Sequence, residues 1–114
     1  MLNYQKPLDP VFHALADGTR RAILAQLCAG PATVSDLARP LPVSLPAVLQ
    51  HLKVLEDSKL VITVKKGRSR ICRLDPAPLA QAETWIAERR AFWSAALGRL
   101  AAFLNDPDDP HPHT

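Results

Sequence analysis

The strongest constraint on the fold lies in residues 33–74, where three patterns follow one another without a gap. A short helical pattern ends in a proline-containing turn, and a second, amphipathic helix follows it. Residues 60–66 and 69–74 then alternate around β-branched side chains on either side of Gly67, which predicts a hairpin. This order predicts a mainly α protein with a small β-hairpin, namely a winged helix-turn-helix of five helices and a two-stranded wing.

The amphipathic helix of this stretch has one apolar and one solvent-facing side. Ser44 is expected to cap it, because a serine hydroxyl accepts from the free amides of a first turn. At about 100° per residue, one side is apolar and should face the core. That side carries Val48, Leu52 and Leu55, the opposite side carries Pro46, Ala47, Gln50 and Lys53, and Leu49 and His51 fall between them.

Local signals also place the earlier helices. Asp9, ahead of a proline, is expected to cap the first helix, after a loose arm. Thr19 is expected to cap the second helix, which leaves Arg20 exposed. Thr33 or Ser35 begins the short third helix.

Charge is concentrated in the hairpin rather than spread over the chain. The formal net charge is only +3. No acidic residue occurs in the stretch 58–74, which carries Lys59, Lys65, Lys66, Arg68, Arg70 and Arg73. A basic ribbon directly after a helix-turn-helix pattern indicates a surface that binds phosphate groups, although a solvated face is the plainer alternative.

A long helix is expected over residues 78–104, with a span of about 40 Å at 1.5 Å per residue. It carries both tryptophans of the chain in an apolar stripe that needs a partner. We expect residues 1–104 to form one domain that binds DNA and dimerises. The Pro- and Asp-rich residues 105–114 are expected to be a disordered tail.

Several segments together resemble the arsenic-repressor (ArsR) family of winged-helix transcriptional regulators. They are VFHALADGTRRAILAQL, PATVSDLA, VSLPAVLQHLKVLEDSKLV, KKGRSRICRLDPAPL and WIAERRAFWSAALGRLAAFL. The likeness covers roughly residues 8–104. The resemblance implies a homodimeric repressor of the subgroup without metal ligands. Such a protein binds double-stranded DNA at an imperfect palindrome near a promoter.

The DNA-binding residues are expected on the second helix of the motif and on the wing. Gln50 is the best candidate for reading a base, because its amide can pair with adenine, whereas Lys53 suits a phosphate. Where the family usually has a small hydroxyl residue this chain has Leu49, which favours contact with thymine methyl groups. The predicted set is Ser44, Leu45, Pro46, Ala47, Leu49, Gln50, His51, Lys53, Lys65, Lys66, Arg68 and Arg70.

The resemblance also implies a dimer built from the first and last helices. The residues expected in this interface are Phe12, Leu79, Trp85, Phe92, Trp93, Leu97 and Leu100. Two-fold symmetry would set the two recognition helices about 34 Å apart, one turn of DNA.

Two alternative functions keep the same fold. In a thiol- or metal-responsive sensor, Cys72 would be reactive, because Arg70 and Arg73 beside it could lower its pKa. Packing of Cys72 inside the sheet is the favoured alternative, and Cys28 is expected in the core. In a protein-interaction module, DNA would play no part. The third helix has no Cys or His and the last helix has no His, so we expect no metal site and no cofactor.

Other classes find no support in the sequence. The first residues lack the apolar stretch of a signal peptide, and no segment has the length of a membrane span, so a cytoplasmic protein without membrane contact is expected. Motifs of phosphate-binding loops, metalloproteases and nucleophilic hydrolases are missing, which predicts that the chain is not an enzyme. No small-molecule effector can be named from the residues.

Overall fold

The computed structural model describes residues Leu8–Asn105, which form five helices and three short strands. The predicted loose arm, residues 1–9, falls outside this range except for Leu8 and Asp9, which are helical. The tail falls outside it except for Asn105, whose amide donates to the carbonyl of Ala101 at 3.0 Å. In chain order the elements are α1 (Leu8–Leu15), α2 (Gly18–Cys28), β1 (Ala32–Thr33), α3 (Val34–Ala38), α4 (Leu45–Asp57), β2 (Val61–Lys66), β3 (Ser69–Leu74) and α5 (Pro76–Leu104).

Two compact units divide the chain, one up to Ala82 and the other from Glu83 onward. The first unit contains a single hydrophobic core. Ile23, Leu37, Leu55 and Leu60 are among its fully buried side chains. The predicted inward residues of α4 all belong to this core, namely Val48, Leu52 and Leu55.

The sheet has three antiparallel strands in the order β1-β3-β2, one more than predicted. The hairpin of β2 and β3 is confirmed, with Thr63 opposite Cys72 and Lys65 opposite Arg70. The missed strand β1 pairs Ala32 with Cys72. It is two residues long, so it shows no alternating pattern that a sequence could reveal.

Among the first four helices, the starts agree with the sequence in two cases and differ in two. The expected caps Ser44 and Thr33 each accept an amide three residues on, in α4 and α3. The cap of α2 is Asp17, not Thr19, because the Asp17 carboxylate accepts the amide of Arg20 at 3.0 Å. Asp9 was also wrongly predicted as a cap, since α1 begins at Leu8 and Asp9 lies in its first turn.

The end of α4 is a Schellman motif with an unusual residue in its left-handed position. The amide of Leu60 donates to the carbonyl of Leu55, and the amide of Lys59 donates to that of Glu56, both at 3.0 Å. Lys59 therefore takes a φ of 68°, a conformation that glycine normally supplies. Leu55 and Leu60 are both fully buried, which gives the motif its hydrophobic contact.

Helix α5 runs for 29 residues and starts two residues earlier than predicted. Asp75 explains the earlier start, because its carboxylate accepts the amide of Ala77 at 3.1 Å. Of the helices between Leu8 and Asn105, none combines the length and apolar character that crossing a bilayer demands.

Candidate nucleic-acid interface

The solvent-facing side of α4 is the first part of the candidate surface. Pro46, Gln50 and Lys53 are exposed as predicted, whereas Ala47, predicted on the same side, is half-buried. Leu45 is also exposed. Ser44 is exposed at the start of the helix, where its hydroxyl accepts the amide of Ala47 at 3.3 Å. Leu49 lies on the flank but is also exposed. Lys53 forms an exposed ion pair with Asp57 at 3.6 Å.

His51 is half-buried and joins α4 to α2. Nη1 of Arg20 lies 3.3 Å from Nδ1 of His51, and an Asp17 carboxylate oxygen lies 3.8 Å from the same nitrogen. Nδ1 of His51 therefore faces both the guanidinium of Arg20 and the carboxylate of Asp17. His51, predicted among the DNA-binding residues, thus makes contacts within the protein that link α4 to α2.

Arg20, expected to be exposed, is instead a half-buried hub. Its Nε donates to the Ala14 carbonyl at 2.8 Å and its Nη2 to the His13 carbonyl at 3.0 Å. These carbonyls are at the C-terminal end of α1, and that of His13 also accepts the amide of Ala16 at 3.1 Å. The sequence analysis missed this role because His51 is 31 positions away from Arg20. The local signal was Asp17, three residues before Arg20, whose carboxylate caps α2.

Asp17 is the anionic partner of this hub. The hydrogen bond from the Arg20 amide lowers the pKa of Asp17 below its ordinary value of 3.8, and the charges of His51 and Arg20 act in the same direction. The Asp17 carboxylate therefore stays ionised at neutral pH beside His51 of α4.

The strand register settles which wing cations share a face, a question the sequence left open. Directly opposite residues of an antiparallel pair lie on one face. Lys65 and Arg70 are opposite each other, on the face that includes the buried Cys72. Lys66 is opposite Ser69 on the other face, and Arg68 occupies the turn. All four cations are exposed.

A polar link ties the wing to α4. The Glu56 carboxylate accepts a hydrogen bond from the Thr63 hydroxyl and forms an ion pair with Arg70 at 3.4 Å. This pair offsets the repulsion between Arg70 and Lys65 across the strands. Together with the hydrogen bond from Thr63, it links the base of the wing to α4.

A shallow cleft brings part of the predicted set together. It is lined by Leu49 of α4, by Arg68 and Arg70 of the wing, and by the first residues of α3. A second cleft lies on the other flank of α4. It is lined by Ala47, Gln50, His51, Lys53, Val54, Asp57 and Arg20.

The two cysteines differ in exposure: Cys72 is buried and Cys28 is exposed. Cys72 is fully buried, and burial raises the pKa of its thiol, helped by the negative charge of Glu56 and opposed by Arg70. A reactive thiolate at Cys72 is therefore contradicted, and inward packing is confirmed.

Cys28, predicted in the core, is exposed, because it lies about 90° away from the helix side formed by Ile23, Leu24 and Leu27. Within residues 8–105, no three His, Cys, Asp or Glu side chains are placed to hold a metal ion.

The residues predicted for a dimer interface fall into two groups. Phe12 and Leu79 are half-buried against the core of the first unit, and Trp85 is also half-buried. Four residues of α5 are more than half exposed on the single chain, namely Phe92, Trp93, Leu97 and Leu100. The guanidinium of Arg89 stacks on the Trp85 ring at 4.5 Å from its centroid.

Comparisons with known proteins bear on this arrangement. The helix-turn-helix domain family matches residues 15–64. The HTH-type transcriptional regulator Rv2034 of Mycobacterium tuberculosis is 46% identical over 109 residues, which cover 96% of this chain and 98% of that protein. A solved ArsR family transcriptional regulator, RHA00566, superposes with a TM-score of 0.73 at 45% identity, covering 77% of this chain and 97% of the other. The chain belongs to the ArsR family of winged helix-turn-helix transcriptional regulators.

Two further similar proteins extend the comparison. The transcriptional repressor SdpR of Bacillus subtilis is 30% identical over 69% of this chain and 88% of its own length. A homodimeric winged helix-turn-helix DNA-binding domain from Mycobacterium bovis, described as a possible ArsR-family regulator, has a TM-score of 0.63 at 25% identity, with 78% of this chain and 85% of that one covered. In ArsR terms, α3 and α4 are the helix-turn-helix and β2–β3 is the wing, as the sequence predicted.

Proposed function

We propose that the protein is a homodimeric, sequence-specific repressor that binds a palindromic promoter site in double-stranded DNA. The observation that carries this proposal is the joint placement of the exposed face of α4 and the basic wing, fixed to each other by Glu56. Family membership and the repressor SdpR support it. In this proposal, side chains of α4 contact base edges and cations of the wing contact phosphates. The proposal therefore involves no catalytic step. It places the protein in the cytoplasm, with the chromosome.

We assign separate tasks to the two parts of this surface. Gln50 on α4 reads a base, because its exposed amide offers a donor and an acceptor that match adenine. Lys65, Lys66, Arg68 and Arg70 neutralise phosphates, which sets affinity rather than sequence preference. Ser44 and Lys53 flank the reading side chains and contact the backbone of the duplex.

Salt dependence tests the assignment of the wing. Replacing Lys66 and Arg68 by Ala removes two cations from each of two subunits. The slope of log K against log salt should then fall by about 3.6, because each phosphate contact contributes about 0.9. Fluorescence anisotropy with the DNA upstream of the protein's own coding sequence measures this slope. Arg99→Ala, which removes an exposed cation from α5, is the matched control and should leave the slope unchanged.

Base reading is tested by a change that leaves charge alone. Gln50→Ala should reduce discrimination between the site and random duplex by about 1–3 kcal/mol while preserving the salt slope. If the wild-type protein shows no preference for any sequence, or if its binding does not respond to salt, this proposal is wrong. Activity that survives both changes would instead support a protein-interaction module.

We further propose that a second copy covers the apolar side of α5. Trp93 and Leu97 are 60% and 59% exposed, and side chains four positions apart lie on one side of a helix. Burying both on each subunit would remove a large apolar area from water. Phe12 and Leu79, predicted in the same interface, have less surface left to bury because they already pack on the core.

Sedimentation velocity tests the dimer directly. Leu97→Glu should yield a monomer and weaken binding to a two-fold site, because two recognition helices are no longer held together. Ser94→Glu places the same charge at an exposed polar position of α5 and is the matched control. A wild-type chain that sediments as a monomer at micromolar concentration contradicts the proposal.

A further inference from the structure

We propose that Leu45 and Leu49 read the methyl groups of thymine in the major groove, so that the preferred site carries thymines at fixed positions of each half-site. This inference rests on the proposed function and names the bases that the same surface selects. It concerns side chains whose exposure has no explanation within the protein chain itself.

Both leucines are large apolar side chains left in solvent on the helix that would enter the groove. Leu45 is 51% exposed and Leu49 is 39% exposed. They are four positions apart and therefore lie on one flank of α4, one above the other. The core side of the helix is already complete with Val48, Leu52 and Leu55, which are at most 2% exposed. The two leucines thus form a separate apolar strip beside the polar side chain of Gln50.

The chemistry of the groove limits what this strip can recognise. Among the groups at the base edges of the major groove, the thymine C5-methyl is the apolar one; the others are hydrogen-bond donors and acceptors. A leucine pressed against those polar edges would strip them of water and give them no partner, which is costly. A leucine over a methyl group buries apolar area on both sides. Thymine is therefore the base that these side chains favour.

The surroundings of the strip identify a nucleic acid as the occupant. Leu49 lies in the cleft that also contains Arg68 and Arg70. An apolar patch with guanidinium groups at its rim suits a polyanion that displays methyl groups between its phosphates. An apolar protein surface would desolvate both guanidinium groups and offer them no counter-charge.

Substitution of thymine by deoxyuridine removes the methyl group and nothing else, so it provides the test. A preferred duplex is first selected from a random pool with the wild-type protein. Each thymine in it is then replaced singly by deoxyuridine, and Kd is measured by fluorescence anisotropy. We expect binding about fourfold weaker for each methyl group in contact, the effect of removing one buried carbon.

Variants of the protein assign each methyl group to a leucine. Leu49→Ala should abolish the deoxyuridine effect at one set of positions, and Leu45→Ala at another. Both side chains are exposed, so the variants should melt like the wild type. Val64→Ala removes an equally exposed apolar side chain, 52% exposed, from the wing, and should keep the full effect.

The outcomes separate this inference from the proposal beneath it. If the selection enriches no sequence, the proposed function fails and the inference falls with it. If a site is enriched but deoxyuridine leaves every Kd unchanged, the inference alone is overturned. It is overturned equally if both alanine variants discriminate thymine from deoxyuridine as well as the wild type does.

Discussion

Replacing Lys59 by Gly should stabilise the protein, although it removes a side chain. Lys59 occupies the left-handed position of the Schellman motif that ends α4, with φ at 68°. In this conformation the Cβ atom of an L-residue approaches the following carbonyl oxygen. The side chain is exposed. Glycine relieves the crowding and leaves the two hydrogen bonds of the motif intact, because both use backbone atoms.

The size of the gain follows from two opposing terms. A left-handed non-glycine residue costs about 1–2 kcal/mol. Glycine in turn loses more conformational entropy on folding, which lowers the free energy of unfolding by about 0.5–1 kcal/mol. The difference predicts a gain of about 0.5–1 kcal/mol in the free energy of unfolding, which raises Tm by a few degrees in a chain of this size.

Urea and thermal unfolding at one fixed protein concentration measure this gain, since the stability of a dimer depends on concentration. Lys59→Ala is the control: it removes the charge and keeps the Cβ atom, so it should give no comparable gain. If the alanine variant is stabilised as much as the glycine variant, loss of charge is the cause and the backbone argument is refuted. A destabilised Lys59→Gly protein would refute it as well.

Three further predictions concern thiols, acid and the wing turn. Cys28 should react rapidly with a thiol reagent and Cys72 only on unfolding, because one is exposed and the other buried with a raised pKa; equal rates in Cys28→Ser and wild type would contradict this. The pKa of Asp17 is lower folded than unfolded, so its stabilising effect is full above the ordinary value of 3.8 and is lost as the pH falls through the lowered value. Urea midpoints measured from neutral to acid pH should fall less steeply for Asp17→Asn, whereas parallel curves would exclude that role. Gly67→Ala should destabilise the fold by about 1 kcal/mol in urea unfolding, because Gly67 has a φ of +63° in a two-residue turn; Gly67→Asn should lose less, and two equal losses would argue against a backbone cause.

The parts of the fold that follow from local chemistry were predictable from the sequence. Ser44 caps α4 because a hydroxyl three residues before a free amide can satisfy it wherever the helix lies. Val48 and Leu52 face the core because the helical period puts them on one side. The hairpin followed from alternation and from Gly67, which is needed at a turn position with positive φ.

The parts that depend on distant partners were not predictable. Strand β1 exists only because Ala32 meets Cys72, 40 positions along the chain, and two residues carry no period. Arg20 reads as a solvent-facing cation in its own helix, yet it contacts His51 of α4. The sequence placed the wing cations in the hairpin, but the face that each one occupies required the pairing of Lys65 with Arg70.

The contacts of Arg20 mean that one side chain fastens three helices. Arg20 lies in the first turn of α2. Its guanidinium donates to two carbonyls at the end of α1 and contacts the imidazole of His51 in α4. A lysine could not take its place, because a single ammonium lacks the planar fork that reaches separate acceptors. The orientation of α4 is thus anchored by a side chain of another helix, which lines the same cleft as Gln50.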